Sequence, residues 1–339
     1  RLFRNKGDST FEDVAGAAGV ALAGRRSLGC AFGDVDGDGR DDLFVSNYDS
    51  QEDTLFKNLG GGKFRDVTGP AGLRRKASSV GCAFGDVRGV GHLDLYVTTD
   101  SWLSGANYTE PQLLAQGHTV EPNLLWENDG KGRFTAARAP VLRHKALSHD
   151  VILEDLDHDG RVDVYVGVDA IPSGNRFATH KGGNPLWSRD AKGVWEEVRG
   201  PWGVGHEANC VCVPAADLDN DGDLDLVLVN FYSGVVVYRN ETNGRGWLRV
   251  KAVGSRSNPD GIGAKIRVHA VDGTTRRFVG LREIQSGAGY CRSSPLEAHF
   301  GLGKPVAAKY RVEVTFPATG VQVVKDDVTP GQRIVVTEP

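Results

Sequence analysis

The chain has 339 residues, a formal net charge of −4, 45 glycines and 40% hydrophobic residues. That length holds one large domain or two ordinary ones, and the glycine-rich composition with short Val/Leu/Phe runs suits a turn-rich β protein. No basic run or one-sided Lys/Arg helix offers a nucleic-acid footprint, and no apolar stretch approaches the roughly 18 residues that insert across a membrane.

The chain opens at Arg1 without a signal-peptide pattern, as a mature or trimmed chain does. Leu2-Phe3-Arg4-Asn5 followed by Phe11-Glu12-Asp13-Val14 reads as a hairpin, because the pattern returns. It recurs as Leu55-Phe56-Lys57-Asn58 with Phe64-Arg65-Asp66-Val67, and as Leu125-Trp126-Glu127-Asn128 with Phe134. A weaker copy joins Leu186-Trp187-Ser188-Arg189 to Trp195-Glu196-Glu197-Val198.

An acidic loop precedes each later hairpin. The first runs from Asp34 to Asp42, with carboxylates on Asp34, Asp36, Asp38 and Asp42 and glycines at the sharp turns. That alternation wraps oxygen ligands around one hard cation, and calcium takes six to eight oxygens, including carboxylates, a backbone carbonyl and water. Arg40, at the seventh position, is the backbone-carbonyl candidate. The third loop repeats the set with Asp155, Asp157, Asp159, Arg161 and Asp163, and the fourth with Asp217, Asp219, Asp221, Asp223 and Asp225. The second, Asp86 to Asp94, has Arg88 and Val90 where ligands belong, so it is expected to be empty and about three Ca2+ sites remain. No Glu stands at the twelfth position and a strand-like run follows each loop, which separates the pattern from an EF-hand.

One unit thus reads as inner strand, loop, second strand and hairpin, and its radial repetition describes the blades of a β-propeller. The chain starts with half a unit and the fourth unit lacks its last strand, so residues 11–14 are expected to complete the last blade. A small ring, a fragment of a larger one, and a ring that borrows later strands all remain open. Residues 100–123 and 169–184 interrupt the rhythm as long connections of the kind that carry ligand sites or are merely tolerated.

Ser148-His149-Asp150 departs from its counterparts Ser27-Leu28-Gly29 and Ser79-Val80-Gly81. His149 and Asp150, with His206 and Glu207 ahead of the fourth inner strand, are candidates for acid–base chemistry at the propeller channel. The alternative is a hydrogen-bonded channel lining. No nucleophile motif, phosphate loop or zinc-spaced set accompanies them. Trp102, Tyr108, Trp202 and Tyr232 fall in or beside connections and are candidates for binding a sugar or hydrophobic ligand, whereas Trp126 and Trp187 belong to the inter-blade core. The five cysteines form no disulfide framework, and Cys30 and Cys82, on inner strands, are expected as buried thiols.

From Trp247 the repeat stops and alternating strands predict a small β-sandwich-like domain, placing domains at 1–245 and 246–339. Ala31-Phe32-Gly33-Asp34 and Ala83-Phe84-Gly85-Asp86 resemble FG-GAP repeats, the calcium-loop blades of integrin α-subunits. Ser257-Asn258-Pro259-Asp260-Gly261-Ile262-Gly263, Ser286-Gly287-Ala288-Gly289-Tyr290 and His299-Phe300-Gly301-Leu302-Gly303 resemble the ASPIC/UnbV domain. The pairing is that of the cartilage acidic protein family and its bacterial relatives. The resemblance implies a secreted, extracellular (or periplasmic) calcium-binding propeller that recognises a glycan, protein or small-molecule ligand. The alternative is a calcium-stabilised biosynthetic cyclase or isomerase with its pocket at the channel.

Overall fold

A computed structural model describes residues 1–99, 110–115, 121–168, 183–231, 233–242, 244–304 and 306–339. The fold is all-β: the described residues are almost entirely β-strands and turns. Trp102, Tyr108 and Tyr232 lie outside the described residues.

The opening hairpin forms as expected, β1 (Phe3–Asn5) pairing with β2 (Phe11–Asp13), and a short helix α1 (Ala15–Ala18) follows. Sheet 1 comprises β3 (Ser27–Gly33), β4 (Asp42–Asn47), β6 (Thr54–Gly60) and β7 (Lys63–Asp66) in that order. Beside it β5 (Gln51–Glu52) pairs with β8 (Lys76–Ala77). Sheet 2 runs β9 (Ser79–Gly85), β10 (Asp94–Thr99), β11 (Leu124–Asn128) and β12 (Phe134–Ala136), with helix α2 (Glu110–Ala115) between β10 and β11. Sheet 3 runs β13 (Ser148–Glu154), β14 (Asp163–Val168), β15 (Leu186–Arg189) and β16 (Trp195–Glu197). Sheet 4 has β17 (Cys210–Cys212) and β18 (Ala215–Ala216) on one edge of β19 (Asp225–Asn230), with β20 (Gly234–Tyr238) on the other.

Each acidic loop joins the first two strands of its sheet, and the sheets stack through their inner strands. The Ser46 hydroxyl donates to Val80 O at 2.6 Å and the Thr98 hydroxyl to His149 O at 3.2 Å. Contact this close leaves no room for a side chain. A Cβ on Gly29 would lie 2.3 Å from Val80 O, and one on Gly81 2.4 Å from His149 O. All four sheets carry a register shift at this level, a bulge that bends the strand.

The ring closure expected of residues 11–14 is not formed. β2 pairs only with β1, and among the described residues no strand of sheet 4 pairs with β2 or with sheet 1. The reason is local. The hairpin is closed by Val14 N donating to Leu2 O, and α1 is held on sheet 1, where Lys63 Nζ donates to Ala17 O at 2.8 Å. Cys30 is also not the buried thiol expected; it is exposed while Cys82 is buried. β9 is covered by sheet 1, but among the described residues no sheet covers the equivalent face of β3.

The C-terminal strands form two sheets. β21 (Trp247–Val253) lies between β24 (Ala298–Gly301) and β27 (Gln332–Thr337). β22 (Lys265–Asp272) lies between β23 (Thr275–Glu283) and β25 (Lys309–Thr315), and β26 (Gln322–Val328) follows β25. Their alternating side chains meet in one core, with Leu248, Val250 and Phe300 against Ile266, Val268 and Val312, each worth about 1.5–3 kcal/mol when fully buried.

Candidate functional site

The loops share one backbone design. The fourth and sixth positions are left-handed in all four: Gly37 and Gly39, Gly89 and Gly91, His158 and Gly160, Asn220 and Gly222. Glycine is the natural occupant there, and asparagine tolerates it. The curl turns backbone N–H groups onto the first carboxylate. Asp34 accepts from Gly37 N at 2.7 Å, Asp38 N at 3.1 Å and Gly39 N at 2.6 Å.

Three loops gather carboxylates. Asp34, Asp36 and Asp42 bring oxygens within 4.8 Å of one another, as do Asp155, Asp157 and Asp163, and Asp217, Asp219 and Asp221. Each grouping also leaves one buried carboxylate oxygen without a hydrogen-bond donor: Asp36 Oδ1, Asp163 Oδ1 and Asp217 Oδ1. A buried acceptor left unpaired is costly, and a hard oxygen-seeking cation would satisfy it, so the donor set fits calcium. The other predicted acids also have partners within the chain. Asp38 pairs with Arg40 at 2.5 Å and Lys57 at 3.1 Å, and Asp159 pairs with Arg161. Asp223 faces His158 at 3.5 Å, and Asp225 accepts from Asn240 N at 2.8 Å and Leu218 N at 2.9 Å.

Burial and mutual repulsion raise Asp42, Asp155 and Asp163. Asp42 is pushed up to about 7, chiefly by burial and then by Asp36, Asp34 and Asp38. Asp155 is pushed up to about 8 by burial and then by Asp159 and Asp157, and Asp163 well above the carboxylate range by burial and then by Asp155. The second loop differs. Arg88 turns its guanidinium onto Asp94, with Nη2 2.8 Å from Oδ1, and places a covalent positive charge inside the loop.

Basic groups that the local spacing does not reveal also reach the loops. Lys57 pairs with Asp36, and Arg239, at the same hairpin position in the fourth unit, has Nε 2.9 Å from Asp219. Arg245, at the end of the repeats, lies 2.7 Å from Asp157. The other contacts come from beyond the repeats: Lys265 pairs with Asp34, Gly303 N donates to His158 O at 2.9 Å, and Arg249 lies 2.5 Å from Asp217. Leu281 N donates to Asp86 at 3.2 Å, so each of the four loops is contacted by the C-terminal part of the chain.

The acid–base candidates have different described partners. Asp150 stands where sheets 1 and 2 have Gly29 and Gly81, and opposite it Gly167 stands where they have Ser46 and Thr98. The polar group has changed strands. Asp150 accepts from Val213 N at 2.9 Å and Tyr290 N at 3.1 Å, and Arg292 Nε lies 3.1 Å from its Oδ2. His149 is buried with its ring 6.2 Å from that of Tyr290, and burial holds its pKa down to about 4. His206 Nε2 lies 3.3 Å from Asn230 Nδ2, and Glu207 is exposed. The described partners of Asp150 and His206 do not overlap. Trp202 lines a cavity between sheets 3 and 4 with Leu186, Leu226 and Tyr238.

Residues 254–339 match the ASPIC and UnbV family, and residues 1–45 and 34–97 match the FG-GAP-like repeat. Cartilage acidic protein 1 of Mus musculus is 30% identical over 328 residues, covering 92% of this chain and 45% of that protein. The Homo sapiens protein is 29% identical over 327 residues, covering 92% and 44%. The chain therefore spans less than half the length of these relatives. Among solved structures, the V. cholerae biofilm matrix protein Bap1 aligns with 91% of this chain and 68% of that chain at 12% identity. Its TM-score is 0.32, too low to bear on the fold.

Proposed function

We propose, from the premise that the chain joins FG-GAP-like repeats to an ASPIC and UnbV domain and is homologous over most of its length to cartilage acidic protein 1, that it is a secreted, calcium-binding recognition module of propeller type. The observation that carries this reading is the recurrence of three converging carboxylates with one unpaired buried oxygen in three separate loops. Bound calcium would neutralise the clustered charge and lock each loop between the first two strands of its sheet. Asp34, Asp36 and Asp42 hold the first site, Asp155, Asp157 and Asp163 the third-loop site, and Asp217, Asp219 and Asp221 the fourth-loop site. The ions are read as structural, because basic side chains of the chain itself already reach Asp34, Asp157 and Asp217 in the three loops.

The repeats occupy residues 1–245 and the ASPIC and UnbV unit residues 246–339. A recognition surface for a glycan, protein or small-molecule ligand is then built on a calcium-stiffened scaffold. Extracellular calcium suits loop-only sites of 10⁻⁴–10⁻³ M affinity, and the relatives' name places them in cartilage. Among the described residues no helix is long and apolar enough to cross a membrane. The catalytic alternative gains no support from the geometry, since Asp150 is committed to Arg292 and two backbone N–H groups.

Calorimetric titration and thermal melts with and without a chelator test the reading. Calcium at a hundredfold its Kd should stabilise the fold by about 2.7 kcal/mol per site. Asp36→Asn, Asp157→Asn and Asp219→Asn should each remove one site's share. A melt that chelation leaves unchanged would sink it.

A further inference from the structure

One position on the inner strands is equivalent in all four sheets, and register identifies it. Gly29 stands two residues after Ser27, which pairs with Asn47, and Gly81 two after Ser79, which pairs with Thr99. Asp150 stands two after Ser148, which pairs with Val168, and Cys212 two after Cys210, which pairs with Asn230. Sheets 1 and 2 admit no side chain there, because a Cβ would stand 2.3 or 2.4 Å from the next sheet's carbonyl oxygen. Sheet 3 carries a carboxylate at this position and sheet 4 a thiol.

A single turn of the C-terminal unit runs along these positions. Ala288 and Arg292 bridge across it, and the three residues between them meet the sheets in order. Gly289 N donates to Cys82 O of sheet 2 at 2.7 Å, and Gly289 O lies beside Gly29 of sheet 1, 3.2 Å from where a Cβ would stand. Tyr290 N donates to Asp150 of sheet 3 at 3.1 Å. Cys291 reaches sheet 4, where its carbonyl oxygen is 3.6 Å from Cys212 Sγ. The turn thus brings a cysteine to the only one of the four positions that holds a cysteine. One carboxylate fixes both backbones there. Asp150 accepts from Val213 N, next to Cys212, and is flanked by Tyr290 N and Arg292 Nε, on either side of Cys291. Arg292 Nη2 also donates to Val151 O at 2.6 Å. These bonds hold Cys291 in a left-handed conformation, φ 57°, that a non-glycine residue adopts at a cost. Cys210 Sγ instead faces Cys212 O within its own strand, at 3.7 Å, and Cys30 and Cys82 belong to sheets 1 and 2.

We propose that Cys212 and Cys291 form a disulfide that latches this turn of the C-terminal unit to sheet 4. Cys212 Sγ already touches the backbone of Cys291, so the bond asks for rotation of the Cys291 side chain rather than travel of either strand. The oxidant is a small-molecule disulfide such as oxidised glutathione. One protein thiolate attacks a sulfur of that disulfide, forming a mixed disulfide and releasing the first small thiolate. The second protein thiolate attacks the protein sulfur of the mixed disulfide, closing the protein S–S bond and releasing the other small thiolate. The two protons given up by the protein thiols end on the two released thiols. Two protein sulfurs are oxidised as two small-molecule sulfurs are reduced. A secreted chain meets the oxidising setting in which such bonds persist, and the geometry itself depends on neither calcium nor a ligand.

The test equilibrates the full chain in glutathione buffers of graded redox potential, counts thiols in denaturant, and locates any disulfide by peptide mapping without reductant. Loss of two of the five thiols is expected, with one cross-linked peptide pair that carries Cys212 and Cys291. The oxidised chain should melt several degrees above the reduced one, because the bond ties residues 79 apart in sequence, and reductant should reverse the shift. Cys291→Ser and Cys212→Ala should each keep all their remaining thiols and lose the reductant-sensitive shift. Near-ultraviolet circular dichroism in reductant checks that both variants keep their fold. Five thiols at every potential overturn the proposal. So does a disulfide between any other pair or between two chains, an oxidised chain that melts with the reduced one, or a shift that persists in Cys291→Ser.

Discussion

The single carboxylate sets the pH behaviour of the loops. In the folded chain Asp42 and Asp155 titrate at about 7 and about 8, because burial and neighbouring aspartates oppose the second and third negative charges; unfolded, each reverts to about 3.9. The folded state therefore binds more protons between about pH 4 and pH 8. Stability from these groups is fully present below the unfolded pKa and is lost as pH rises through the folded one. Without divalent cations, melts should rise as pH is lowered from 8 toward 5. Saturating calcium holds the carboxylates charged and should flatten or reverse the slope. A calcium-free melting temperature that climbs from pH 5 to 8 would contradict this account. The spacing of the aspartates made the loops legible in the sequence. Which three acids converge was not, because the third member differs between loops: the ninth-position Asp42 and Asp163 in the first and third, the fifth-position Asp221 in the fourth.

At the scale of strands and sheets, a repeat shows its meaning where it changes. The His149-Asp150 departure was visible in the sequence and read there as a catalytic candidate. Its partner change at Gly167 went unread, since pairing depends on a register that includes a bulge. Together they move the cross-sheet hydrogen bond from a hydroxyl on the second strand to a carboxylate on the inner one. That carboxylate also holds Arg292, whose side chain is 5% exposed. Asp150→Ala should cost about 3–5 kcal/mol, the penalty of leaving one member of a buried ion pair uncompensated. Asp150→Asn keeps the shape and loses the charge, so it should fall between the two. Chemical denaturation measures both, and an Asp150→Ala chain as stable as the parent would remove Asp150 from the sheet 3–sheet 4 contact. Conversely, the exposure of Cys30 could not be read from its own strand, which matches that of Cys82 in Cys-Ala-Phe-Gly-Asp. What differs is the sheet in front of it.

Across the whole molecule, docking of the C-terminal strands and cation binding use the same acids. Lys265 and Arg249 each place a positive charge on the first carboxylate of a loop, 231 and 32 residues away in sequence. No local pattern announces such a pairing, which is why the sequence separated into repeats and a C-terminal unit without showing what joins them. Asp34 is fully buried and shared by Lys265, three loop N–H groups and the proposed ion. A cation on Asp34, Asp36 and Asp42 therefore works against the nearby ammonium group. Lys265→Met should lower calcium-free stability by about 1.5–3 kcal/mol, the worth of a charged hydrogen bond. It should also tighten calcium at the first loop, on the order of tenfold for the loss of one nearby like charge. The melting-temperature gain on adding calcium would then be larger in the variant than in the parent, with the third and fourth loops unaffected in titration. Equal gains in the two proteins would mean that Lys265 merely packs beside the loop, and that docking and ion binding are independent.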